Sequence, residues 1–416
     1  MKLWKTINND LTVNAHSMIL ALFINCHAVN LILNSFFSQY SVLGLPFILV
    51  VCALLWLCCI KGWRYTKLLI AFPICLTVFY IFTLVFNGSN STTSLVELGC
   101  YVLLPFVLMG LDFDAEKVVK SSLLITAPGI LVLGTLFERN YRGGITMGLS
   151  YAFMVTIVCA ILYLCLYMKK EKSLLARIIY LACCVIDGIY LYNIVVYGSR
   201  GPVLTFLILI AALCVFRYVP EEKALRFRNF RVTMILAGAL VLAMVLLVVF
   251  IEPINAFVVA QNIEISFITD NLSLLAKGDI LDGRVYCYVA GFEEFLNSPI
   301  FGDGMGMYLH NTGVVYPHNL FLQLLYDGGI VLLVLATLHM VWFSVKIFRS
   351  GDRKLVESWL LLFMLSVPSL MLSGDIWEKI NYWMFMALLA KQSATPFAVY
   401  PYLTKIWKSV MICKKR

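Results

Sequence analysis

The chain has 416 residues, of which 62% are hydrophobic and 13% are charged, and its formal net charge at pH 7 is +9. Its mean hydropathy of +0.90 excludes an ordinary water-soluble globular protein. Apolar runs of about 18 to 24 residues recur along the chain, each long enough to cross a bilayer as a helix, and the short alternating segments of a β-barrel are not visible. We therefore predict an all-α polytopic membrane protein.

The apolar runs predict about 12 transmembrane helices in a single polytopic domain, residues 1–416. No small-residue cleavage site follows the basic residues at the start, so we expect the first span to be retained. A long polar segment, about 252–317, is predicted to be an extracytoplasmic loop that contains short helices. The predicted spans are 17–36, 41–60, 68–86, 94–111, 121–137, 145–168, 178–198, 202–219, 232–251, 318–345, 355–373 and about 380–398.

The positions of the basic residues predict the orientation of the chain. If the N-terminus is cytoplasmic, 25 of the 32 lysines and arginines fall in the N-terminal segment, the inward loops and the tail, and Lys391 lies within the last predicted span. The tail, residues 399–416, is basic and aromatic, and we expect it to rest on the inner membrane surface. The positive charge therefore marks topology and does not indicate a nucleic-acid partner. The outward loops hold only Arg139, Arg142, Arg200, Lys277, Arg284 and Lys379.

Neither a disulfide framework nor a metal site is predicted. Eleven of the 13 cysteines fall within predicted spans, Cys287 alone lies in the large loop, and no pair has the spacing of a zinc site. His310 and His318 are eight residues apart and lack a clear third ligand. We therefore expect no metal and no other cofactor.

A polar stripe runs along span seven to the outer surface. Its residues lie within about 140° of one another on a helix, so they share one face. That face should point into the bundle, because a lipid-exposed carboxylate costs about 3 kcal/mol or more. For Asp187, an interhelical hydrogen bond and a functional role explain the position equally well. The stripe consists of Asp187, Tyr190, Asn193, Tyr197 and Arg200.

Arg284 lies in the first turn of a helix predicted over 283–296, which Asp282 can cap and Pro299 follows. Free backbone N–H groups and the positive end of the helix dipole attract anions at this position, so Arg284 suits a phosphate. The alternative is an ordinary ion pair with Glu293 or Glu294. The residues alone leave both possibilities open.

His318 follows Pro317 at the predicted start of span ten and precedes a polar stripe of Asn319, Gln323 and Asp327. A neutral imidazole at the membrane surface can act as a general base for a sugar hydroxyl. Taken alone, a structural histidine explains the position at least as well. Upstream, three alternating glycines over 302–306 lack the strand and βαβ unit of a dinucleotide site, so they indicate a tight turn or a close approach of the backbone to a ligand.

Three short motifs follow one another on the predicted outer side. They are Tyr197-Gly198-Ser199-Arg200-Gly201-Pro202, Gly283-Arg284 with Phe295-Leu296-Asn297-Ser298-Pro299-Ile300-Phe301-Gly302-Asp303-Gly304, and Pro317-His318-Asn319 with Gly328-Gly329-Ile330. In this order the motifs resemble the superfamily of O-antigen polymerases (Wzy type) and O-antigen ligases. They cover about residues 197–330, and elsewhere the resemblance rests on the pattern of spans and on Ser373-Gly374-Asp375 before the last one.

The resemblance implies a glycosyltransferase that moves a glycan from a polyprenyl (undecaprenyl) diphosphate carrier to a sugar hydroxyl, outside the bacterial cytoplasmic (inner) membrane. It assigns Arg200 and Arg284 to the diphosphate and His318 to the acceptor hydroxyl, so part of the active site lies in the large loop. Arginine suits this role because its planar fork binds phosphate oxygens in pairs, without a required metal. We expect an apolar cavity for the isoprenoid chain. The further candidates for substrate binding are Arg139, Arg142, Asn319, Asp327 and Tyr197.

Within the superfamily, the Ser-Arg-Gly-Pro and Pro-His-Asn-Leu-Phe-Leu forms are more similar to polymerases, which make the O-antigen of lipopolysaccharide or another surface polysaccharide. A ligase, which transfers the glycan to lipid A-core, is the alternative. A flippase for the same lipid is a third possibility, although acids inside spans are few and the cations gather at the outer rim. The expected partners are the lipid-linked oligosaccharide, membrane lipid, a flippase and a chain-length regulator.

Overall fold

The computed structural model describes residues 2–36, 45–57, 64–87, 91, 93–136, 146–197, 200–227, 231, 234, 257, 260, 284–393 and 397–398. Several predicted features lie outside these residues. They are most of the ninth span, most of the large loop before residue 284, the tail 399–416, and Arg139 and Arg142.

The described chain is largely helical. Its α-helices are α1 Lys2–Ile24, α2 Cys26–Phe36, α3 Leu45–Leu57, α4 Lys67–Asn87, α5 Leu95–Glu97, α6 Leu104–Leu108, α7 Ala115–Thr126, α8 Thr146–Leu162, α9 Leu174–Tyr197, α10 Arg200–Val215, α11 Arg284–Asn297, α12 Tyr308–Thr312, α13 Leu320–Arg349, α14 Arg353–Leu370 and α15 Ile380–Lys391. Shorter turns extend some of them, namely the π-helices Leu98–Leu103 and Tyr163–Tyr167 and the 3₁₀-helices Ala127–Val132, Met168–Lys170 and Ile376–Glu378.

Five segments in the described residues are long and apolar enough to cross a membrane, which supports an all-α membrane protein. Two shorter apolar helices, Leu95–Leu108 and Gly201–Val215, accompany them. The predicted number of 12 spans goes beyond what these residues establish. The five segments are Lys67–Phe86, Ala115–Leu136, Met147–Lys170, Leu174–Val195 and Leu320–Arg349.

The first predicted span, 17–36, is not one straight helix. Val13–Ile24 and Cys26–Phe36 meet at an angle of 70°, and together they add a sixth possible span. Between them, the buried Asn25 amide donates hydrogen bonds to the Ala21 carbonyl at 2.8 Å and to the Ser122 hydroxyl at 2.9 Å. A buried amide needs such partners, and a side chain that bonds back to its own helix accompanies a kink.

The predicted eighth and twelfth spans end earlier than expected. Span eight, predicted over 202–219, ends at Val215, and the strands β2 Phe216–Val219 and β3 Ala224–Phe227 form an antiparallel hairpin. Aromatic and β-branched residues favour this strand, and Pro220 begins its turn. Span twelve, predicted to reach residue 398, ends at Lys391, and strand β4 Phe397–Ala398 then pairs with β1 Arg64–Tyr65.

Helix α15 lies at the centre of the bundle. Ile380 and every residue from Tyr382 to Lys391 are buried. The helix packs against α4, α6, α13 and α14. A helix that is apolar on all sides is stable only when neighbouring helices or lipid surround it completely, and here the neighbours do so.

Helix α13 breaks at Gly328 and Gly329, and the chain before α12 docks into the break. The backbone N–H groups of Ile330 and Val331 donate to the carbonyls of Pro299 and Ile300 at 3.0 and 3.3 Å. Gly329 has φ +61°, and a Cβ there would lie 2.3 Å from the Ile300 carbonyl oxygen. Only glycine fits this approach, and the docking holds the end of the large loop to α13.

The glycines of 302–306 confirm the expected tight turns, but the backbone approaches other parts of the protein where an approach to a ligand was the alternative. Gly302, Gly304 and Gly306 all have positive φ, between +67° and +102°. A Cβ on Gly302 would lie 2.4 Å from the Tyr326 carbonyl oxygen of α13, and one on Gly304 would lie 2.7 Å from the Thr83 hydroxyl of α4. The close approach is therefore to protein, and it ties the loop to two helices.

Candidate functional site

A cavity of about 380 Å³ opens beside the segment that connects α14 to α15. Helix α8 forms another wall through Met147, Tyr151 and Val155, and the bend between α1 and α2 contributes Ile24. Cavities of this size are typical of small-ligand sites. Its polar lining residues include His27, Glu97, Tyr101, Glu378, Lys379 and Asn381.

Tyr151, Tyr316 and Ser373 form a hydrogen-bonded cluster in the wall of this cavity. The Tyr316 and Ser373 hydroxyl oxygens lie 3.0 Å apart, and Tyr151 also forms a hydrogen bond with Ser373. The ring of His318 lies 4.5 Å from the ring of Tyr316, measured between centroids. The predicted base therefore adjoins the cavity wall through Tyr316.

Arg284 adjoins the same cluster from helix α11. Its guanidinium lies close enough to the Tyr151 phenol for an electrostatic interaction. Neither Glu293 nor Glu294 forms an ion pair with it, and the Glu294 carboxylate instead accepts a hydrogen bond from Asn297 at 3.0 Å. The alternative of a local ion pair for Arg284 is therefore wrong.

The start of α10 meets the opposite side of Tyr151. A Cβ on Gly201 would lie only 1.9 Å from the Tyr151 hydroxyl, so the absence of a side chain there allows the contact. The backbone of Arg200 is consequently next to this cluster. The side chains of Tyr197 and Arg200, and all of Arg139 and Arg142, lie outside the described residues.

His318 has an unusual backbone conformation. Its φ is +55°, a left-handed value that costs energy in a residue with a side chain. The next residue, Asn319, is the N-cap of α13, and its Oδ1 accepts hydrogen bonds from the N–H groups of Phe321 and Leu322 at 3.0 and 3.1 Å. Asn319 thus fixes the end of the helix, and its predicted contact with substrate stays a prediction.

Asp327 lies in a buried network between α13 and the segment after α14. Its carboxylate accepts a hydrogen bond from the Trp377 indole at 2.8 Å. One turn earlier, the Gln323 amide donates to Asp375 at 2.6 Å and accepts from the Ile376 N–H at 3.1 Å. Asp327 is fully buried and these contacts are structural, so its predicted substrate binding remains untested.

Asp187 confirms the expectation that its face of the predicted stripe points into the bundle. It is 2% exposed, and the Thr156 hydroxyl donates a hydrogen bond to its carboxylate at 2.9 Å. The neighbouring Tyr190 hydroxyl donates to the Thr126 carbonyl at 3.2 Å. These are interhelical hydrogen bonds of the kind weighed from the sequence.

The cavity beside the cations is not the apolar one that the sequence predicts. The cavity next to Arg284 and His318 is lined by many polar groups, while a larger groove of about 840 Å³ lies between α4 and α13. Phe79 lines that groove and packs on Trp377, whose neighbours Glu378 and Lys379 line the polar cavity. The two spaces are thus adjacent and chemically distinct.

Tyr151, Ser373, Tyr316 and Lys379 were not predicted as site residues. Lys379 carried a signal as one of the six outward cations, and Ser373 carried one as part of the segment Ser373-Gly374-Asp375. Its ammonium lies 4.6 Å from the centroid of the Tyr151 ring, and burial lowers its pKa. Burial also raises the pKa of the adjacent Glu378, and the charge of Glu97 raises it further. Among the described residues, no group of three His, Cys, Asp or Glu side chains could hold a metal ion.

Comparison with known proteins gives one match. Residues 185–337 match the sequence model of the O-antigen ligase family. No curated protein and no solved structure matches the chain. The matched segment contains the starts of α10, α11 and α13, which carry Arg200, Arg284 and His318. The apolar helices identify a membrane protein, and the match over residues 185–337 supports its resemblance to the O-antigen ligase and polymerase superfamily.

Proposed function

We propose that the protein is a polymerase of O-antigen or another surface polysaccharide, which joins oligosaccharide repeat units carried on polyprenyl diphosphate. The observation that carries the proposal is the convergence of three motifs on one side chain. Gly201 contacts Tyr151, Arg284 interacts electrostatically with its phenol, and His318 reaches it through Tyr316 and Ser373. Two cationic positions and one imidazole thus surround a single cavity wall.

The proposed reaction is a glycosyl transfer. The acceptor hydroxyl oxygen attacks the anomeric carbon of the donor, and the bond from that carbon to the diphosphate oxygen breaks. The electron pair stays on the leaving diphosphate, where Arg200 and Arg284 stabilise the growing negative charge. His318 accepts the proton of the acceptor hydroxyl and releases it to water. The products are the lengthened glycan and polyprenyl diphosphate, and the step as written requires no metal.

We place this reaction on the outer side of the bacterial cytoplasmic membrane, with both termini in the cytoplasm. The distribution of basic residues supports this orientation. In the described part of the chain, two ion pairs join segments predicted to be cytoplasmic, namely Arg64 with Asp112 and Lys354 with Asp114. The donor lipid would then arrive from a flippase, and a chain-length regulator would limit the product.

The description of the matched family favours a second candidate, an O-antigen ligase that transfers the glycan to lipid A-core. The two candidates differ only in the acceptor. Purified protein incubated with lipid-linked repeat units alone separates them. A polymerase yields lengthened lipid-linked chains, whereas a ligase yields no product until core lipid is added.

The catalytic assignment is tested with Arg284→Gln and His318→Asn in the same assay. We expect each substitution to lower the transfer rate by about 100-fold or more, because each removes a group that acts on the transition state. Arg284→Gln should change the melting temperature by no more than a few degrees, because Arg284 forms no ion pair within the described part of the chain, and the same measurement checks that His318→Asn is folded. Unchanged transfer in both variants would refute the proposed site. Normal glycan length in cells that accumulate lipid-linked units inside would instead favour a transporter.

A further inference from the structure

Lys379 has a fixed place in the cavity. It ends the 3₁₀-helix Ile376–Glu378 and precedes α15, and its carbonyl accepts a hydrogen bond from the Tyr382 N–H at 3.0 Å. Its side chain passes over Gly374, where a Cβ would lie 2.3 Å from the Lys379 Cε. Gly374 has φ +108°, a conformation that suits only glycine. The backbone on both sides therefore directs the ammonium toward the cavity.

Lys379 has no counter-ion among the described residues. No carboxylate oxygen there lies within ion-pair distance of its Nζ. The ammonium lies 4.6 Å from the centroid of the Tyr151 ring. Glu378 and Asp375 act on it only from a greater distance. A cation that lines a cavity and has no carboxylate partner within ion-pair distance is suited to bind an anion there.

Lys379 and Arg284 lie around the same side chain. The ammonium faces the Tyr151 ring, while the guanidinium interacts with the Tyr151 phenol. The Gly201 backbone reaches that phenol from α10. A diphosphate carries its negative charge on several oxygens, and more than one cation is needed to neutralise it as it leaves.

We infer that Lys379 is a third cation of the donor site, which binds the leaving diphosphate together with Arg284. This inference rests on the proposed function. Lys379 supplies a point charge that donates hydrogen bonds from the cavity side, whereas the guanidinium acts from the side of the large loop. Tyr151 separates the two cations when the site is empty and limits their repulsion, because its ring attracts the ammonium.

The test measures binding of undecaprenyl diphosphate to the purified full-length protein in nanodiscs. We expect Lys379→Met to weaken this binding about 10- to 100-fold, the loss expected for one charged hydrogen bond to phosphate. Lys379→Arg keeps the charge and should bind within about threefold of the wild type. Lys354→Gln removes an exposed lysine at the opposite end of the bundle and should leave binding unchanged.

Thermal unfolding distinguishes a ligand-binding lysine from a structural one. Lys379→Met removes a charge that has no carboxylate partner among the described residues and gives up only the contact with the Tyr151 ring, so its melting temperature should stay within a few degrees of the wild type. A lowered melting temperature together with lost binding would make Lys379 a structural residue and overturn the inference. Gly374→Ala displaces the lysine without removing its charge and should weaken binding less than Lys379→Met does.

Two further outcomes separate this inference from the proposed function. If the wild-type protein binds undecaprenyl diphosphate and Lys379→Met binds it equally well, the inference fails and the proposed function stands. This holds even if transfer is slowed, since the lysine would then act on the acceptor. If the wild-type protein does not bind undecaprenyl diphosphate, both fail.

Discussion

The two lysines at the ends of α15 have opposite surroundings. At the end of the helix, the Lys391 ammonium donates to Asp112 at 2.9 Å and to the Leu111 carbonyl at 2.8 Å. At its start, Lys379 faces a cavity and has no counter-ion among the described residues. One cation completes a set of internal contacts, and the other is left available for a ligand. Charge therefore stabilises the fold at one end of the bundle and, under our proposal, serves chemistry at the other.

The two ends also differ in how the chain is held together. At the Lys391 end, several ion pairs join separate segments, such as Lys120 with Glu171 at 2.6 Å. At the cavity end, backbone hydrogen bonds of Pro299 and Ile300 to the break in α13 fix the loop. Backbone contacts can position Arg284 without placing a carboxylate beside it.

The largest expected effect on folding is at the break in α13. Gly329→Ala places a Cβ 2.3 Å from the Ile300 carbonyl oxygen in a backbone conformation that only glycine tolerates. We expect it to lower the free energy of unfolding by about 3 kcal/mol and to abolish transfer, because the loop that carries Arg284 loses its anchor. Gly313→Ala is the matched control, since Gly313 has φ +72° and open space around it. Equal effects of the two substitutions on unfolding would contradict this account.

The comparison of the lysines is tested directly by Lys391→Met. The substitution leaves Asp112 and the Leu111 carbonyl without their donor, and we expect it to lower the free energy of unfolding by about 2 kcal/mol. The estimate lies below that for a fully buried pair because the Asp112 side chain is 47% exposed. Denaturant unfolding in detergent measures the change, and Lys379→Met in parallel should show none. If Lys391→Met were harmless, the contrast between the two ends would not hold.

The smallest expected effect concerns pH. Burial raises the pKa of Asp375 from 3.8 to about 6. Because the folded state binds this proton more tightly than the unfolded state does, stability falls as the pH rises from about 4 to about 6. Asp375→Asn keeps an acceptor for the Gln323 amide and should remove this slope, with a higher melting temperature than the wild type at pH 7. Melting temperatures of the wild type and the variant, measured from pH 4 to pH 8, test this prediction. An unchanged pH slope in the variant would show that Asp375 does not cause the pH dependence.

Much of the architecture was predictable because hydropathy is a local property. The helix predicted over 283–296 is observed as Arg284–Asn297, and most spans that the structure describes fall on observed helices. The bend at Asn25 was not predictable, since it depends on a hydrogen bond to Ser122, 97 positions along the chain. Likewise, Lys391 interrupts the last predicted span in the sequence. Its hydrogen bond to Asp112, which lies 279 positions earlier, depends on the folded structure.

The site was predictable only where motifs carry its chemistry. Arg284 and His318 belong to such motifs, and both adjoin the Tyr151 cluster. Tyr151 itself lies in an apolar span with nothing in its surroundings to distinguish it, and Ser373 is near in space to Tyr316 but 57 positions away in sequence. Residues that act through packing between distant segments leave no local pattern to find.

Helix α15 has a consequence for how the protein is made. Its 12 residues extend about 18 Å, well short of the roughly 30 Å of hydrocarbon in a bilayer. Lipid alone would therefore hold it poorly, and its stable place depends on the helices that enclose it. Since α15 is synthesised after those helices, the bundle must keep an opening for it until translation has passed residue 391. During that interval, the apolar surfaces that later enclose α15 would be the ones that a membrane chaperone protects.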